Sequence, residues 1–437
     1  MSLLHSLLLL SLSLLARAAV PPSAQFKFVN EGEFGPYVVE YGGNYRTTSI
    51  FSSPFQLCFY NTTPNAFTLA LRMATTRSES LFRWVWEANR GSPVRENATF
   101  ALGADGNLVL ADADGRVAWQ SRTANGGVVG FKLLPTGNMV LYDSRGKFVW
   151  QSFDSPTDTL LAGQSLRAGA ASKLVSRASE ADNSNGPYSM AIEPKQLSLY
   201  YTSKNSPKPL LYYTFAASMY LANESLAEVT LESAPETAEG FAYEITLKYA
   251  AADKTSGVGG GGLILARPKY NATLTILRLG IDGNLRAYTY YDKVDYRAWE
   301  VTFSLFSRDG DWDTECQLPS RCGNFGLCAD SQCVACPSAR GLLGWSESCA
   351  PPGVASCRPG DSDYYKLVGV DHFLSKYTKG DGPMKEGDCG GKCSKDCKCL
   401  GYFYNQESSR CWIAYELKTL TKVANSTHVG YIKVPKK

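Results

Sequence analysis

Two stretches of the sequence repeat each other, ADGNLVLADADGRVAWQS at residues 104–121 and PTGNMVLYDSRGKFVWQS at residues 135–152. Each contains a Gly-Asn turn, continues with apolar residues and closes on Trp-Gln-Ser, and equivalent positions lie 31 residues apart. A looser copy ends at Trp86, 33 residues before Trp119. A fixed period with this many matches predicts a repeated structural unit. We therefore expect three small sheets around one axis, with Trp86, Trp119 and Trp150 filling the shared core.

The rest of the chain before residue 310 also favours β-structure. Short apolar runs alternate with Asp-Gly, Asn-Gly and Gly-Gly turn signals, and no sustained helical period occurs. A weaker echo of the repeat at residues 279–288 predicts a second, degenerate β domain, and the stretch rich in Ala, Ser, Gly and Asn at residues 162–187 places the boundary near residue 166. Residues 257–262 formally match the nucleotide-binding pattern GxGxxG, but no apolar strand leads into them, so we expect a flexible loop.

Composition argues against several classes of function. The 437 residues include 44 Lys and Arg against 41 Asp and Glu, a net charge of +3 that is too small for a nucleic-acid partner held by broad basic attraction. Only three histidines occur, which disfavours hydrolases and histidine-ligated metal sites. The sequence contains no GxSxG, HExxH, P-loop or kinase motif. We expect a protein that is not an enzyme and that uses no cofactor and no metal.

The N-terminus and the cysteines indicate export. Residues 3–15 form an apolar run of signal-peptide length, followed by the small-residue pattern Ala-Arg-Ala, so we expect a signal peptide at residues 1–18. No later run is long enough to span a bilayer, which predicts a soluble, secreted, extracellular protein. Twelve of the thirteen cysteines fall between Cys316 and Cys411, a density typical of disulfide scaffolds. Cys58 stands apart, and we expect a buried, inert thiol there, with an intermolecular disulfide as the alternative.

Five Asn-x-Ser/Thr triplets support export, because such sites are used only in chains that enter the secretory pathway. The candidate N-glycosylation sites are Asn61, Asn97, Asn223, Asn271 and Asn425.

The repeat resembles the plant bulb-type, mannose-binding lectins, whose sugar site has the pattern QxDxNxVxY once per sheet of a three-sheet β-prism. Residues 150–160 resemble the extended lectin region of S-locus glycoproteins, residues 322–328 their EGF-like module, and the cysteine spacing of residues 389–399 the opening of their PAN/apple domain. With no kinase signature following, the chain is most similar to the epidermis-specific secreted glycoproteins of plant cell walls.

The resemblance implies a mainly all-β protein of tandem bulb-lectin β-prism domains followed by two disulfide-rich modules. The implied domains are a signal peptide at 1–18, a bulb-type lectin domain at 19–165, a second, degenerate lectin-like domain at 166–306, an EGF-like module at 307–353 and an α+β PAN/apple-like domain at 354–437. The implied disulfides are Cys316–Cys328, Cys322–Cys333, Cys336–Cys349, Cys389–Cys411, Cys393–Cys399 and Cys357–Cys397.

The lectin pattern has a physical basis, because alternate residues of a strand project from one face and converge on one small ligand. The matching residues here are Asp105, Asn107 and Val109 in the first copy, Asn138, Val140 and Tyr142 in the second, and Asp282, Asn284 and Tyr288 in the later echo. No copy is complete, and two lost hydrogen bonds of about 1 kcal/mol each would weaken binding roughly thirtyfold. The alternative is that the Gly-Asn pairs are only tight hairpin turns.

Two functional hypotheses remain open. The first is a secreted glycoprotein of the plant cell wall or apoplast that binds mannose-type glycans or glycoproteins, with weak sites strengthened by multivalency. The second is a structural or protein-interaction glycoprotein whose EGF-like and PAN modules pair with receptor ectodomains or with a second copy. Fold alone does not separate them.

Overall fold

The structure is a computed structural model that describes residues 19–75, 81–169, 173–216, 224–237, 240–251, 259–267, 274–292, 298–310, 313–353 and 360–436. Strands dominate these ranges, with two short α-helices, α1 (Phe373–Tyr377) and α2 (Glu386–Lys395), so the expected mainly all-β fold is confirmed. Neither helix is long and apolar enough to cross a bilayer. The expected signal peptide at 1–18 lies outside the described residues.

The N-terminal part forms three antiparallel sheets around one core. The first sheet has the order β1 (Phe26–Val29), β6 (Thr99–Leu102), β7 (Leu108–Ala111) and β8 (Val117–Gln120). The second has the order β2 (Asn44–Ser52), β3 (Phe55–Thr63), β4 (Ala66–Met73) and β5 (Arg83–Glu87). The third has the order β11 (Phe148–Gln151), β10 (Met139–Asp143) and β9 (Val128–Leu133).

The register of these sheets accounts for the sequence repeat. Each sheet pairs a leucine with a tryptophan across its last hairpin: Leu71 with Trp86, Leu110 with Trp119 and Leu141 with Trp150. The three indoles meet edge to face, with ring centroids 5.8 Å apart for Trp86 and Trp119, 5.7 Å for Trp119 and Trp150, and 6.4 Å for Trp86 and Trp150. This is a favourable aromatic geometry. The looser third copy is therefore a structural equivalent of the other two.

A second set of three sheets follows. One has the order β12 (Thr159–Leu161), β21 (Leu274–Leu279), β22 (Leu285–Tyr290) and β23 (Trp299–Ser304). The next has the order β13 (Ser165–Arg167), β18 (Glu224–Thr237), β19 (Gly240–Ala251) and β20 (Gly259–Ala266). The last has the order β14 (Leu174–Arg177), β15 (Asn185–Ile192), β16 (Leu197–Tyr201) and β17 (Leu210–Phe215).

This second unit differs from the first in its core, and it differs from the expectation in two respects. Its core holds tyrosines in place of tryptophans, with Tyr188 5.4 Å from Tyr201 and 5.9 Å from Tyr212 between ring centroids. Its strand β12 precedes the boundary expected near residue 166, because β12 pairs with β21. Residues 259–262 begin strand β20 rather than forming a loop, because β19 supplies a complete hydrogen-bonding partner.

The C-terminal part contains two more sheets. One has the order β26 (Gly341–Gly344), β25 (Gln332–Ser338), β24 (Phe325–Ala329), β31 (Lys418–Lys422) and β28 (Val370–His372). The other has the order β27 (Ser362–Val368), β32 (His428–Pro435), β29 (Gly401–Asn405) and β30 (Arg410–Ala414). Because β31 runs parallel to β24, the segments expected to form the EGF-like and PAN/apple-like modules share one sheet.

Disulfides hold this region together. The structure joins Cys316–Cys328, Cys322–Cys333, Cys336–Cys349, Cys389–Cys411 and Cys393–Cys399, five of the implied pairs. Cys397 is also disulfide-bonded, and its implied partner Cys357 lies outside the described residues. Cys58 is a buried free thiol in β3.

Candidate carbohydrate site

The first copy of the lectin pattern surrounds the turn between β6 and β7. Gly106 adopts a φ of +80°, where a side chain would be strained. Asp105 is exposed, and its Oδ1 accepts from the Asn107 backbone amide at 3.1 Å. Val109 is half-buried and lies opposite the exposed Gln120 of β8. Two of the three predicted residues, Asp105 and Val109, therefore reach the surface.

The Asn107 side chain points inward and is only 7% exposed. Its Nδ2 donates to Gln120 Oε1 at 2.8 Å, while its Oδ1 accepts from Ser121 Oγ and from the Thr123 amide, both at 3.1 Å. Asn107 thus joins its turn to the Trp-Gln-Ser segment that closes the same repeat. The parallel repetition of Gly-Asn and Trp-Gln-Ser was the sequence signal for this contact, and sequence reasoning missed it.

The second copy repeats this arrangement in the turn between β9 and β10. Asn138 is 5% exposed. Its Nδ2 donates to Gln151 Oε1 at 2.9 Å, and its Oδ1 accepts from the Ser152 hydroxyl at 3.3 Å. Val140 is buried in the sheet. Tyr142 is half-buried, with the Lys132 ammonium 4.9 Å from its ring centre. Only Tyr142 of this copy reaches the surface.

In the later echo of the repeat, in the turn between β21 and β22, the side chains of the lectin pattern contact other residues of the protein. Asn284 is fully buried. Its Nδ2 donates to the Phe306 carbonyl at 2.7 Å, and its Oδ1 accepts from the Phe306 backbone amide at 3.1 Å. Arg286, which replaces the valine of the pattern, grips Asp282 with two hydrogen bonds of 2.6 and 3.0 Å. Burial would lower the pKa of Arg286, but Asp282 raises it above its ordinary value. Tyr288 lies under the Arg83 guanidinium, 4.4 Å from its ring centre.

The predicted sugar residues therefore lie on three separate sheets and divide into two groups. Those that reach the surface are Asp105, Val109, Tyr142, Asp282 and Tyr288, and those that are buried are Asn107, Asn138, Val140 and Asn284. The side-chain amides of the three asparagines bond the protein itself. Among the described residues, no group of three or more His, Cys, Asp or Glu side chains is placed to hold a metal ion.

A cleft of about 550 Å³ opens onto the tryptophan core beside β8. We call it the tryptophan cleft; it is lined by residues 117–122, Trp150 and Ser155. Trp86 is buried, and its Nε1 donates to the Ser155 carbonyl at 3.0 Å. Trp119 and Trp150 are half-buried and form part of the cleft wall.

The candidate glycosylation sites differ in accessibility. Asn97 and Asn425 are exposed and available for modification. Asn61 is 5% exposed in β3, lines a cleft of about 420 Å³, and its Oδ1 has no hydrogen-bond partner in the described part of the chain. Asn223 and Asn271 lie outside the described residues.

Comparison with known proteins places the chain in a family. The sequence model of the family described as D-mannose binding lectin matches residues 83–179. EP1-like glycoprotein 4 of Arabidopsis thaliana is 52% identical over 428 residues, covering 96% of this chain and 94% of that protein. The epidermis-specific secreted glycoprotein EP1 of Daucus carota is 60% identical over 364 residues, covering 80% of this chain and 92% of that protein.

Among solved structures, the fetuin-binding Scilla campanulata agglutinin, a two-domain lectin, matches 61% of this chain and 96% of its own chain at 14% identity, with a TM-score of 0.19. The sequence matches extend over both three-sheet units and the disulfide-rich C-terminal part. The chain belongs to the EP1-like glycoproteins, a family of lectin-like glycoproteins.

Proposed function

We propose that this protein is a secreted glycoprotein of the plant cell wall or apoplast that binds mannose-type glycans without catalysing a reaction. The observation that carries the proposal is the match of the mannose-binding lectin family to residues 83–179, the region that contains the predicted sugar residues on β7 and β10. The names of the two relatives, which describe glycoproteins and in one case a secreted one, support a secreted glycoprotein. The exposed Asn97 and Asn425 and the five disulfides are compatible with an oxidising, extracellular location.

Within residues 83–179, the sugar contacts fall to the members of the pattern that reach the surface. Asp105 offers a carboxylate that bonds sugar hydroxyls, Val109 an apolar surface for ring carbons, and Tyr142 a phenol on the neighbouring sheet. Asn107 and Asn138 act indirectly by fixing the turns that carry these residues. With so few contacts per site, we expect weak binding at each site that becomes useful only when several sites engage one polymer.

A glycan array probed with the secreted protein tests this proposal. Asp105→Asn keeps a side-chain oxygen that accepts from the Asn107 backbone N–H but removes the negative charge. The turn should therefore persist while mannose-glycan binding falls about tenfold. Tyr142→Phe should weaken binding severalfold by removing one hydroxyl. Asp309→Asn, at an exposed position beyond the last strand of the second unit, is the matched control. A flat array, or a signal that neither test substitution changes, would reject the mannose site.

A protein-interaction function is the second candidate, and one surface favours it. All four residues of the edge strand β26 are exposed, including Leu342 and Leu343, and the exposed Trp345 follows directly. An exposed apolar edge strand is a place where another chain can pair. If Leu342→Ser with Leu343→Ser left the sedimentation coefficient and receptor-ectodomain binding unchanged, this candidate would be rejected.

A further inference from the structure

We propose that the tryptophan cleft is a second saccharide site, specific for an acidic pyranose such as a hexuronate unit of a polysaccharide. The inference shares with the proposed function only the premise that the ligand is a glycan. It concerns different contact residues and a different sugar class.

The aromatic wall of the cleft fits a sugar ring. Trp119 and Trp150 meet at an interplanar angle of 71°, with centroids 5.7 Å apart, and so form a V-shaped apolar corner. The carbon face of a pyranose can pack on one indole while its edge meets the other. Neither indole N–H has a hydrogen-bond partner in the described part of the chain, in contrast to that of Trp86, so both remain available as donors.

The polar rim supplies directional contacts. Gln120 Oε1 already accepts a hydrogen bond from Asn107 Nδ2. The Nε2 group of Gln120 is left as a donor beside the indoles. The Asn107 bond also fixes the orientation of the Gln120 amide, so the donor is preorganised. The volume of about 550 Å³ lies within the ordinary range of small-molecule sites, which combine aromatic walls with a few placed polar groups.

Arg122 sets the charge of the ligand. It is exposed, takes part in no ion pair among the described residues, and is the single charged residue in the cleft lining. Its backbone has a φ of +59°, a left-handed conformation that is uncommon for an arginine. An unpaired guanidinium beside an aromatic corner recognises a planar carboxylate with two parallel hydrogen bonds. A hexuronate carries that carboxylate on the ring that the indoles would hold.

Calorimetric titration with hexagalacturonate and with its carboxyl-reduced, uncharged counterpart tests the inference. We expect the protein to bind the acidic oligosaccharide at least tenfold more tightly than the neutral one, with an affinity that falls as salt is added. Arg122→Gln should weaken hexagalacturonate binding about tenfold and abolish the preference for the charged sugar. Arg145→Gln, which removes another exposed arginine of the same unit, should leave both affinities unchanged.

Nuclear magnetic resonance of the indole N–H groups gives a second readout. Hexagalacturonate should shift the signals of Trp119 and Trp150 and leave that of the buried Trp86 in place. Equal affinities for the two oligosaccharides, or unchanged binding by Arg122→Gln, would overturn the inference. Mannose-glycan binding without hexagalacturonate binding would overturn it while sparing the proposed function, and the opposite result would reject only the mannose site.

Discussion

His372 shows how one buried side chain makes stability depend on pH. Its Nε2 lies 2.9 Å from the Glu416 carbonyl, and its Nδ1 accepts from the Leu374 amide at 3.3 Å. These partners assign the neutral ring with the proton on Nε2, because a proton on Nδ1 would face the Leu374 N–H. Burial lowers the pKa of His372 from 6.5 to about 4.

We expect this histidine to contribute a pH-dependent part of the free energy of unfolding. Between pH 6.5 and about 4 the unfolded chain binds a proton that the folded protein does not, so stability falls as the pH drops through this window. The loss should reach roughly 3 kcal/mol, and it should vanish in His372→Gln. Urea unfolding at several pH values measures it. Identical pH slopes for wild type and His372→Gln would contradict the assignment.

Cys58 allows a count of the disulfides. The thiol is fully buried, and burial raises its pKa to about 12, so it should not react with a thiol reagent in the native protein at pH 8. After unfolding without a reductant, one of the thirteen cysteines should react, because the other twelve are expected to be paired. Mass spectrometry of the labelled chain gives the number. Two or more reactive thiols per chain would show that one of the expected pairs is absent.

At the scale of elements, two turns of one sheet differ in what surrounds their glycines. Gly137 and Gly146 have nearly equal φ values of +84° and +79°. A Cβ on Gly137 would lie 2.6 Å from a Leu161 methyl and 2.8 Å from the Phe55 ring, whereas a Cβ on Gly146 would meet nothing within 4 Å. The turn at Gly137 therefore packs β10 against both β3 and β12.

Alanine at these two positions separates backbone strain from packing. Gly146→Ala should cost about 1 kcal/mol of unfolding free energy, because only the left-handed backbone is affected. Gly137→Ala carries the same backbone cost and in addition displaces Leu161 or Phe55, for a total of roughly 2–4 kcal/mol. Chemical unfolding of both variants measures the difference. Equal losses would mean that the close contact at Gly137 relaxes freely.

These elements also show what sequence alone could predict. The hairpins and the tryptophan core were predictable because their signals recur at a short, fixed spacing. The hydrogen bond between Asn107 and Gln120 left a signal, the joint repetition of Gly-Asn and Trp-Gln-Ser, but the side-chain pairing across the hairpin was not predictable from that signal alone. Nor was the sheet shared by β24 and β31, since the two strands are brought together only by tertiary packing. The residues predicted to contact sugar came from a pattern in which spacing fixes the face of a strand but not what covers that face.

At the scale of the whole molecule, a buried ionic cluster joins the two three-sheet units. Its members are the carboxylates of Glu40, Glu87 and Asp158 and the guanidiniums of Arg83, Arg90, Arg177 and Arg278. Arg90 of the first unit pairs with Asp158 at 2.6 Å, and Arg278 of the second pairs with Glu40 at 2.6 Å. Burial tends to raise the pKa of Asp158, but Arg90 and Arg278 lower it below its ordinary value. Each unit thus supplies counter-charges that the other needs.

This mutual neutralisation predicts that the two units unfold together and that removing one charge separates them. Arg278→Met leaves Glu40 and Asp158 with too few partners in a buried site and should cost about 3–5 kcal/mol, splitting one calorimetric transition into two. Arg278→Lys should fall between wild type and Met, because an ammonium cannot reach Glu40 and Thr159 together as the guanidinium does. Arg167→Met, at an exposed pair with Glu228, is the matched control and should change stability by no more than about 1 kcal/mol. If Arg278→Met left a single transition at the wild-type temperature, the cluster would be incidental to how the units hold together.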